Sequence, residues 1–221
     1  MDNNEDVKSF TLWFLVGVIL IGSFLAIMFM SKTPVATPGT LSKAVAADEW
    51  IKGQKDSKVT LVEYSDFQCP ACRAWEPEIA NIMSEFGTHI RLVYREFPLG
   101  APLHPNSQMG AQAAEAAGIQ GKFWEMHDLL FQNQSIWAPQ GPDAVQSTLA
   151  DYAKQLGLNM DQFNKDLNSD KVVKLVTEDK DSGTASGVNS TPTFFLNNKE
   201  IKPQSNDDFR KLIRGEIDSS S

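Results

Sequence analysis

Both cysteines of this 221-residue chain stand in one tetrapeptide, Cys69-Pro70-Ala71-Cys72. Two thiols at that spacing can close a small disulfide ring and pass it on by thiol-disulfide exchange. The tetrapeptide lies between an expected strand and an expected helix. At the helix start, unpaired N–H groups and the helix dipole favour a thiolate at Cys69. Pro70 suits the first helical position, where its missing N–H costs nothing. Cys72, one turn further in, is placed to attack a mixed disulfide formed at Cys69.

Three other uses of the pair compete with exchange. A structural staple would join distant segments, whereas a loop of four residues stabilises by only about 2 kcal/mol. A zinc site would need more ligands. There is no second C-x-x-C, and His89, His104 and His127 show no ligand spacing. The last alternative is a pair of inert buried cysteines.

The elements that must carry the pair follow from hydrophobic periodicity. Residues 59–64 (VTLVEY) form a β-branched, apolar run that reads as a strand. Cys72, Trp75, Ile79, Ile82, Met83 and Phe86 recur at helical spacing, and Gly87 stops that helix. Residues 90–97 (IRLVYREF) read as a second strand, which makes a βαβ unit with parallel strands. A helical block of roughly eighty residues follows, at about 104–186. Its helices are expected over 106–117 with a stop at Gly118, along the Phe123, Met126, His127 and Leu130 stripe, over 143–156, and over 170–185. Residues 193–196 (TFFL) and 200–202 read as strands around an Asn197-Asn198 turn, and Phe209, Leu212, Ile213 and Ile217 mark a last helix. The order β-α-β, helical block, β-β-α is an α/β thioredoxin fold with a helical insertion. Trp75, Phe123, Trp124 and Phe131 are read as core.

Acidic residues outnumber basic ones 28 to 20, for a net charge of −8, which argues against a nucleic-acid partner. Residues 10–30 begin at Phe10, end at Met30 and carry no charge. At about 1.5 Å per residue such a helix spans roughly 30 Å, a bilayer core, so one N-terminal transmembrane helix is expected. It would follow a short N-terminus (1–9) and precede a tether (31–47) of small residues, Thr and Pro, with the folded domain over 48–221. A cleaved signal ending at Ala44-Val45-Ala46 is the alternative; against it, the apolar run is long and its leading segment MDNNEDVKS is acidic. The Lys/Arg flanks are too even to orient the helix.

The stretch VTLVEYSDFQCPAC resembles the active-site segment of the DsbA-like branch of the thioredoxin superfamily, and GVNSTPTFFLNN resembles its C-terminal segment. FPLGAPLHPNSQMGAQAAEAA and GKFWEMHDLLFQNQ fit that branch's helical insertion, so the resemblance covers nearly all of the chain after the tether. It implies that Pro192, after Thr191, forms the cis-proline loop beside the CxxC. Pro70, Ala71, Thr191 and Pro192 would then face bound peptide. A trans proline opening a strand is the bland alternative. Glu63, six residues before Cys69, matches the family's buried acid, which would trade a proton with Cys72; otherwise it is a partly exposed strand residue. Pro77 resembles the proline that kinks the active-site helix. Two departures are read: Pro-Ala lacks the inter-cysteine histidine of the best-known strong oxidants, and the N-terminal dimerisation domain of disulfide isomerases is not expected, only the short tether being read ahead of the fold.

The expectation is a thiol-disulfide oxidoreductase, catalytic through Cys69, Cys72 and Glu63, that oxidises dithiols in exported proteins. It would need no cofactor or metal and act as a monomer. A quinone-linked membrane partner would recharge it, and the anchor at Phe10 to Met30 would hold the domain on the extracytoplasmic face. The alternatives are a reductase or isomerase kept reduced, or a peptide-binding holdase whose CxxC is incidental.

Overall fold

The computed structural model describes residues 39–220 and, before them, Trp13, Val18, Ile21 and Gly22, which are helical and exposed. The rest of 10–30, read above as the membrane anchor, lies outside the described residues, as does 1–9. No helix among the described residues is long and apolar enough to cross a membrane.

Five strands make one mixed sheet in the order β1-β3-β2-β4-β5. β2 (Val59–Ser65) and β3 (Ile90–Glu96) pair in parallel and are joined by helix α1 (Pro70–Phe86). β4 (Thr193–Leu196) runs antiparallel to β2 and turns into β5 (Lys199–Ile201). That turn needs two residues at positive φ, and Asn197 (45°) and Asn198 (72°) supply them. β1 (Trp50–Gly53) pairs antiparallel with β3 at the opposite edge. It was not anticipated, because four residues containing a lysine and a glycine carry no strand signature.

The insertion comprises α2 (Ser107–Ile119), α3 (Phe123–Gln132), α4 (Gln134–Trp137), α5 (Pro142–Gln155), α6 (Met160–Leu167) and α7 (Asp170–Ala185), and α8 (Asn206–Ser220) closes the domain. The short α4 and α6 escaped the periodicity reading. The core divides by strand alternation. Val59 and Leu61 of β2 face Ile79, Ile82 and Phe86 of α1 and Phe209 and Ile213 of α8. Val62 and Tyr64 face the other side, with Val93, Phe97 and Phe195. Glu63 and Ser65 share the parity of Leu61, so they point toward α1, the helix that carries the cysteines.

Residues 39–47, read from composition as part of the tether, pack onto the domain. Leu41 and Val45 lie against the Val62–Tyr64 face. The Ser42 N–H donates to Ser186 Oγ at 2.9 Å, and Ser42 Oγ donates to the Ser182 carbonyl at 2.8 Å. Arg95, fully buried, forks onto Glu49 at 2.9 and 3.0 Å and donates to the Lys43 carbonyl at 3.1 Å.

Gly118 does not end its helix. It lies inside α2 because the Trp50 ring packs directly on it, so that a Cβ would meet ring carbons at 2.4 Å. Trp50 also stacks on Phe123 at 4.5 Å and donates to Glu115 Oε1 at 2.7 Å, which ties the sheet edge to the insertion. Gly118→Ala would gain about 1 kcal/mol of helix propensity and lose roughly 1–3 kcal/mol to overpacking. The urea midpoint should therefore fall with an unchanged slope; a midpoint at or above wild type would mean that the Trp50 ring yields freely.

Candidate active site

β2 delivers the chain to a short loop, residues 66–68, and Cys69 then caps α1 with extended φ −72° and ψ 120°. Pro70 occupies the first helical turn, and the helix runs on through Pro77. Pro70 and Ala71 are exposed at the tip. Cys69 is 6% exposed and Cys72 is wholly buried, and both are free thiols.

Polar side chains of the insertion grip the loop. Asp66 is buried; its carboxylate accepts from the Gln68 N–H (2.7 Å) and the Leu99 N–H (2.9 Å), and meets His104 Nδ1 at 2.7 Å. Gln134 Nε2 donates to the carbonyls of Phe67 (2.8 Å) and Cys69 (2.9 Å). Gln68 accepts from the Asn106 N–H at 2.7 Å and donates to the Ala138 carbonyl at 2.8 Å. Each satisfies a backbone group that a buried loop would otherwise leave unpaired. Apart from the local Asp66–Gln68 bond, none of these roles carries a local sequence signal, since the partners lie tens of residues away.

The two thiols are strongly unequal. A hydrogen bond from the Cys72 thiol is the largest influence on Cys69. With the N–H groups of Cys72 and Ala71 it holds the Cys69 thiol down at about 5, against the upward push of burial. Burial pushes the Cys72 thiol far up, and the hydrogen bond to Cys69 and the charges of Cys69 and Glu63 push it further. The single proton therefore stays on Cys72. The Cys69 sulfur also lies 3.5 Å from the Thr191 carbonyl. A carbonyl can only accept, so this contact favours the thiol form; the largest lowering comes from the Cys72 thiol, with smaller ones from the Thr191 side chain and the helix N–H groups.

The Thr191–Pro192 peptide is cis and sets this loop beside Cys69. Past it runs a shallow groove of about 350 Å³ lined by Trp75, Asn189, Pro192 and Ile201 among others. Glu63 is 1% exposed, and neither of its carboxylate oxygens has a hydrogen-bond partner. Burial pushes it to about 7. Glu76 was not singled out from sequence, although it stands one helical turn past Cys72. Burial, then the charges of Glu63 and Asp128, push it to about 9. Of the expected aromatic core, Phe123 and Phe131 are buried, while Trp75 and Trp124 are half-buried against it.

A low-pKa thiol at a helix start, a buried partner thiol and a cis-proline loop against them define a dithiol centre on a thioredoxin-type fold. A thioredoxin family model matches residues 46–215, and the chain belongs to the thioredoxin family. Among solved structures, the fold is similar to oxidised BdbD of Bacillus subtilis (TM-score 0.70, 22% identity, covering 82% of this chain and 100% of that one). It is also similar to the thiol-disulfide exchange protein α-DsbA2 of Wolbachia pipientis (TM-score 0.64, 21% identity, 78% and 87%). Curated relatives include the Na(+)/H(+) antiporter NhaA 1 of Salinispora arenicola, 42% identical over 149 residues, which are 67% of this chain and 22% of that protein. NhaA 3 of Salinispora tropica is 38% identical over 167 residues, 74% and 24%. The chain thus matches about a quarter of the length of these relatives.

Alkylation of the reduced protein by iodoacetamide should modify Cys69 alone, with a rate that rises through a midpoint near pH 5, because the thiolate is the nucleophile. Mass spectrometry of the trapped peptide checks this. A midpoint near the ordinary thiol value of 9.0 would contradict the asymmetry described.

Proposed function

We propose that the chain is a thiol-disulfide oxidoreductase that works as a dithiol oxidase. The observation that carries this reading is the inequality of the two thiols. Thiolate stabilisation at Cys69 favours the reduced form, which makes the Cys69–Cys72 disulfide a good donor to other dithiols. A substrate thiolate attacks Cys69 Sγ, the Cys69–Cys72 bond breaks, and Cys72 leaves and takes a proton. The second substrate thiolate attacks the substrate sulfur of the mixed disulfide, and Cys69 leaves as a stable thiolate. Two electrons pass from substrate to protein, and the substrate keeps the disulfide.

Glu63 supplies or removes the Cys72 proton in this reading, and its position at about 7 suits both directions. The exposed Pro70 and Ala71, with Thr191 and Pro192, would receive an extended substrate segment along the groove. The charge-free run from Phe10 to Met30 supports a tether to the cell membrane with the domain outside the cytoplasm, where disulfides persist. The membrane-antiporter names of the curated relatives also support a membrane setting. Substrates would be exported proteins with cysteine thiols, and a quinone-linked membrane protein would reoxidise this one, a monomer.

The oxidised protein, mixed with a reduced, unfolded two-cysteine polypeptide at pH 7, should hand over its disulfide stoichiometrically. Cys69→Ser should abolish the transfer, and Cys72→Ser, whose Cys69 thiolate attacks the disulfide of the same polypeptide supplied in its oxidised form and releases one of its thiols, should stop at a mixed disulfide visible on non-reducing gels. Transfer that persists in Cys69→Ser would end the oxidoreductase reading. In the native cell, acid quench and alkylation should find the pair mostly oxidised; a mostly reduced pair would turn the direction to reductase or isomerase.

A further inference from the structure

Cys72 cannot trade its proton with water directly, because it is wholly buried. Its acidic neighbour Glu63 is equally sealed in, with both oxygens unpartnered. A proton that reaches Glu63 therefore needs a second carrier to the surface. Glu76 lies on the correct side: its charge couples to Glu63, its side chain is 20% exposed, and Oε1 is buried without a hydrogen-bond partner.

Beyond Glu76 stands His127 of α3, 3% exposed and packed among the rings of Phe67, Tyr94, Phe123, Trp124 and Phe131. Its Nδ1 lies 2.9 Å from Asp128 Oδ1, and its Nε2 lies 3.8 Å from Glu76 Oε1. Burial lowers the His127 pKa, so the ring is neutral. The Asp128 carboxylate, held below its usual range, can only accept, so Nδ1 carries the proton and Nε2 presents its lone pair to Glu76. One water, or a small rotation of the Glu76 carboxyl, closes the 3.8 Å gap. Asp128 is half-exposed, and it, His127 and Glu76 all line one surface cleft of about 320 Å³. The other polar groups that face this chain are Lys52 of β1, Arg73 of α1 and Tyr94 of β3.

We propose that His127 and Asp128 form the surface port of a buried proton path that runs through Glu76 and Glu63 to Cys72. When the ring closes, the Cys72 thiol gives its proton to Glu63, and a proton moves from Glu63 to Glu76 and on to His127 Nε2. Nδ1 releases its own proton to Asp128 and the solvent. When the disulfide opens, the sequence reverses, and no electrons pass through the path. His127 is thus a positioning residue that acts on Cys72 through two carboxyls. A purely packing role for the ring would leave Nδ1 and Nε2 without chemical consequence.

The inference rests on the dithiol reading above, but its test needs neither a protein substrate nor a direction of turnover. The full chain, reduced, is mixed with an excess of the aromatic disulfide 5,5′-dithiobis(2-nitrobenzoate). Cys69 attacks it and releases the first thionitrobenzoate. Cys72 then loses its proton, displaces the second and closes the disulfide. The first phase reports Cys69 and the second reports proton removal at Cys72. His127→Gln should leave the first phase intact and slow the second roughly tenfold. The second phase should also lose its dependence on pH between about 7 and about 9, where Glu63 and Glu76 titrate. Asp128→Asn, at a half-exposed site that should not disturb folding, should slow the second phase less. In His127→Ala, free imidazole entering through the cleft should restore the rate.

A second phase in His127→Gln at the wild-type rate across that range overturns the proposal. So does a slowed second phase with an unaltered pH profile in His127→Gln and no response to imidazole in His127→Ala, which would make the ring mere packing. Should His127→Ala not fold, the pH profiles of His127→Gln and Asp128→Asn decide alone. If instead disulfide transfer to the unfolded polypeptide fails while the two phases respond as described, the oxidase direction is wrong and the proton path stands.

Discussion

One proton divided unequally between two sulfurs organises this molecule. The S–H···S hydrogen bond between Cys72 and Cys69 is useful only if the sulfurs differ in environment, and nearly every neighbouring element contributes to that difference. The start of α1 supplies amide donors to Cys69 alone. Burial beneath the helix, and an acid on the adjoining strand, act against charge on Cys72. Shifting Cys69 one residue along the helix would lose the cap position, and opening the core beneath Cys72 would let water stabilise its thiolate. Either change would level the two thiols and remove the direction of exchange.

The insertion is what keeps that geometry fixed. A loop of three residues between a strand and a helix has few internal hydrogen bonds of its own. Here Asp66 and Gln68 turn inward and are answered by Leu99, His104, Asn106 and Ala138, while Gln134 reaches back to the Phe67 and Cys69 carbonyls. The thioredoxin core builds the site, and the helical block holds its loop still. The cost is several buried polar groups, each of which must be matched. Not all are: Glu63 and Glu96 each keep both carboxylate oxygens unpartnered, and of the two it is Glu63 whose charge acts on Cys72.

Sequence and structure agree where the information is local. The Cys69-to-Cys72 spacing, the strand before it, the helical period after it and the Asn197-Asn198 turn are all set within a few residues, and each could be read directly. Glu63 and Pro192 were recognised only through family resemblance, since their distance from the cysteines exists in three dimensions alone. β1 was missed because an edge strand of four residues is defined by its partner rather than by its own pattern. Gly118 misled for a related reason: glycine usually stops a helix, but here a tryptophan 68 positions earlier in the chain requires the absence of a side chain. Gln134, Asn106 and His127 carry polar side chains whose roles depend on what the fold brings against them.

The way the first described segment is fastened has a mechanical consequence. Thr40 bridges to Lys199 on β5, and Ser42 is bound to Ser182 and Ser186 at the end of α7. A load applied to the chain ahead of Gly39 thus enters the domain as shear across a sheet edge and a helix terminus. Those anchor points precede and follow the Thr191–Pro192 loop in sequence and lie on neither α1 nor the loop that leads into it. The dithiol is mounted on the part of the fold that bears none of that load directly, so the reactive sulfurs can keep their spacing while the rest of the domain is pulled.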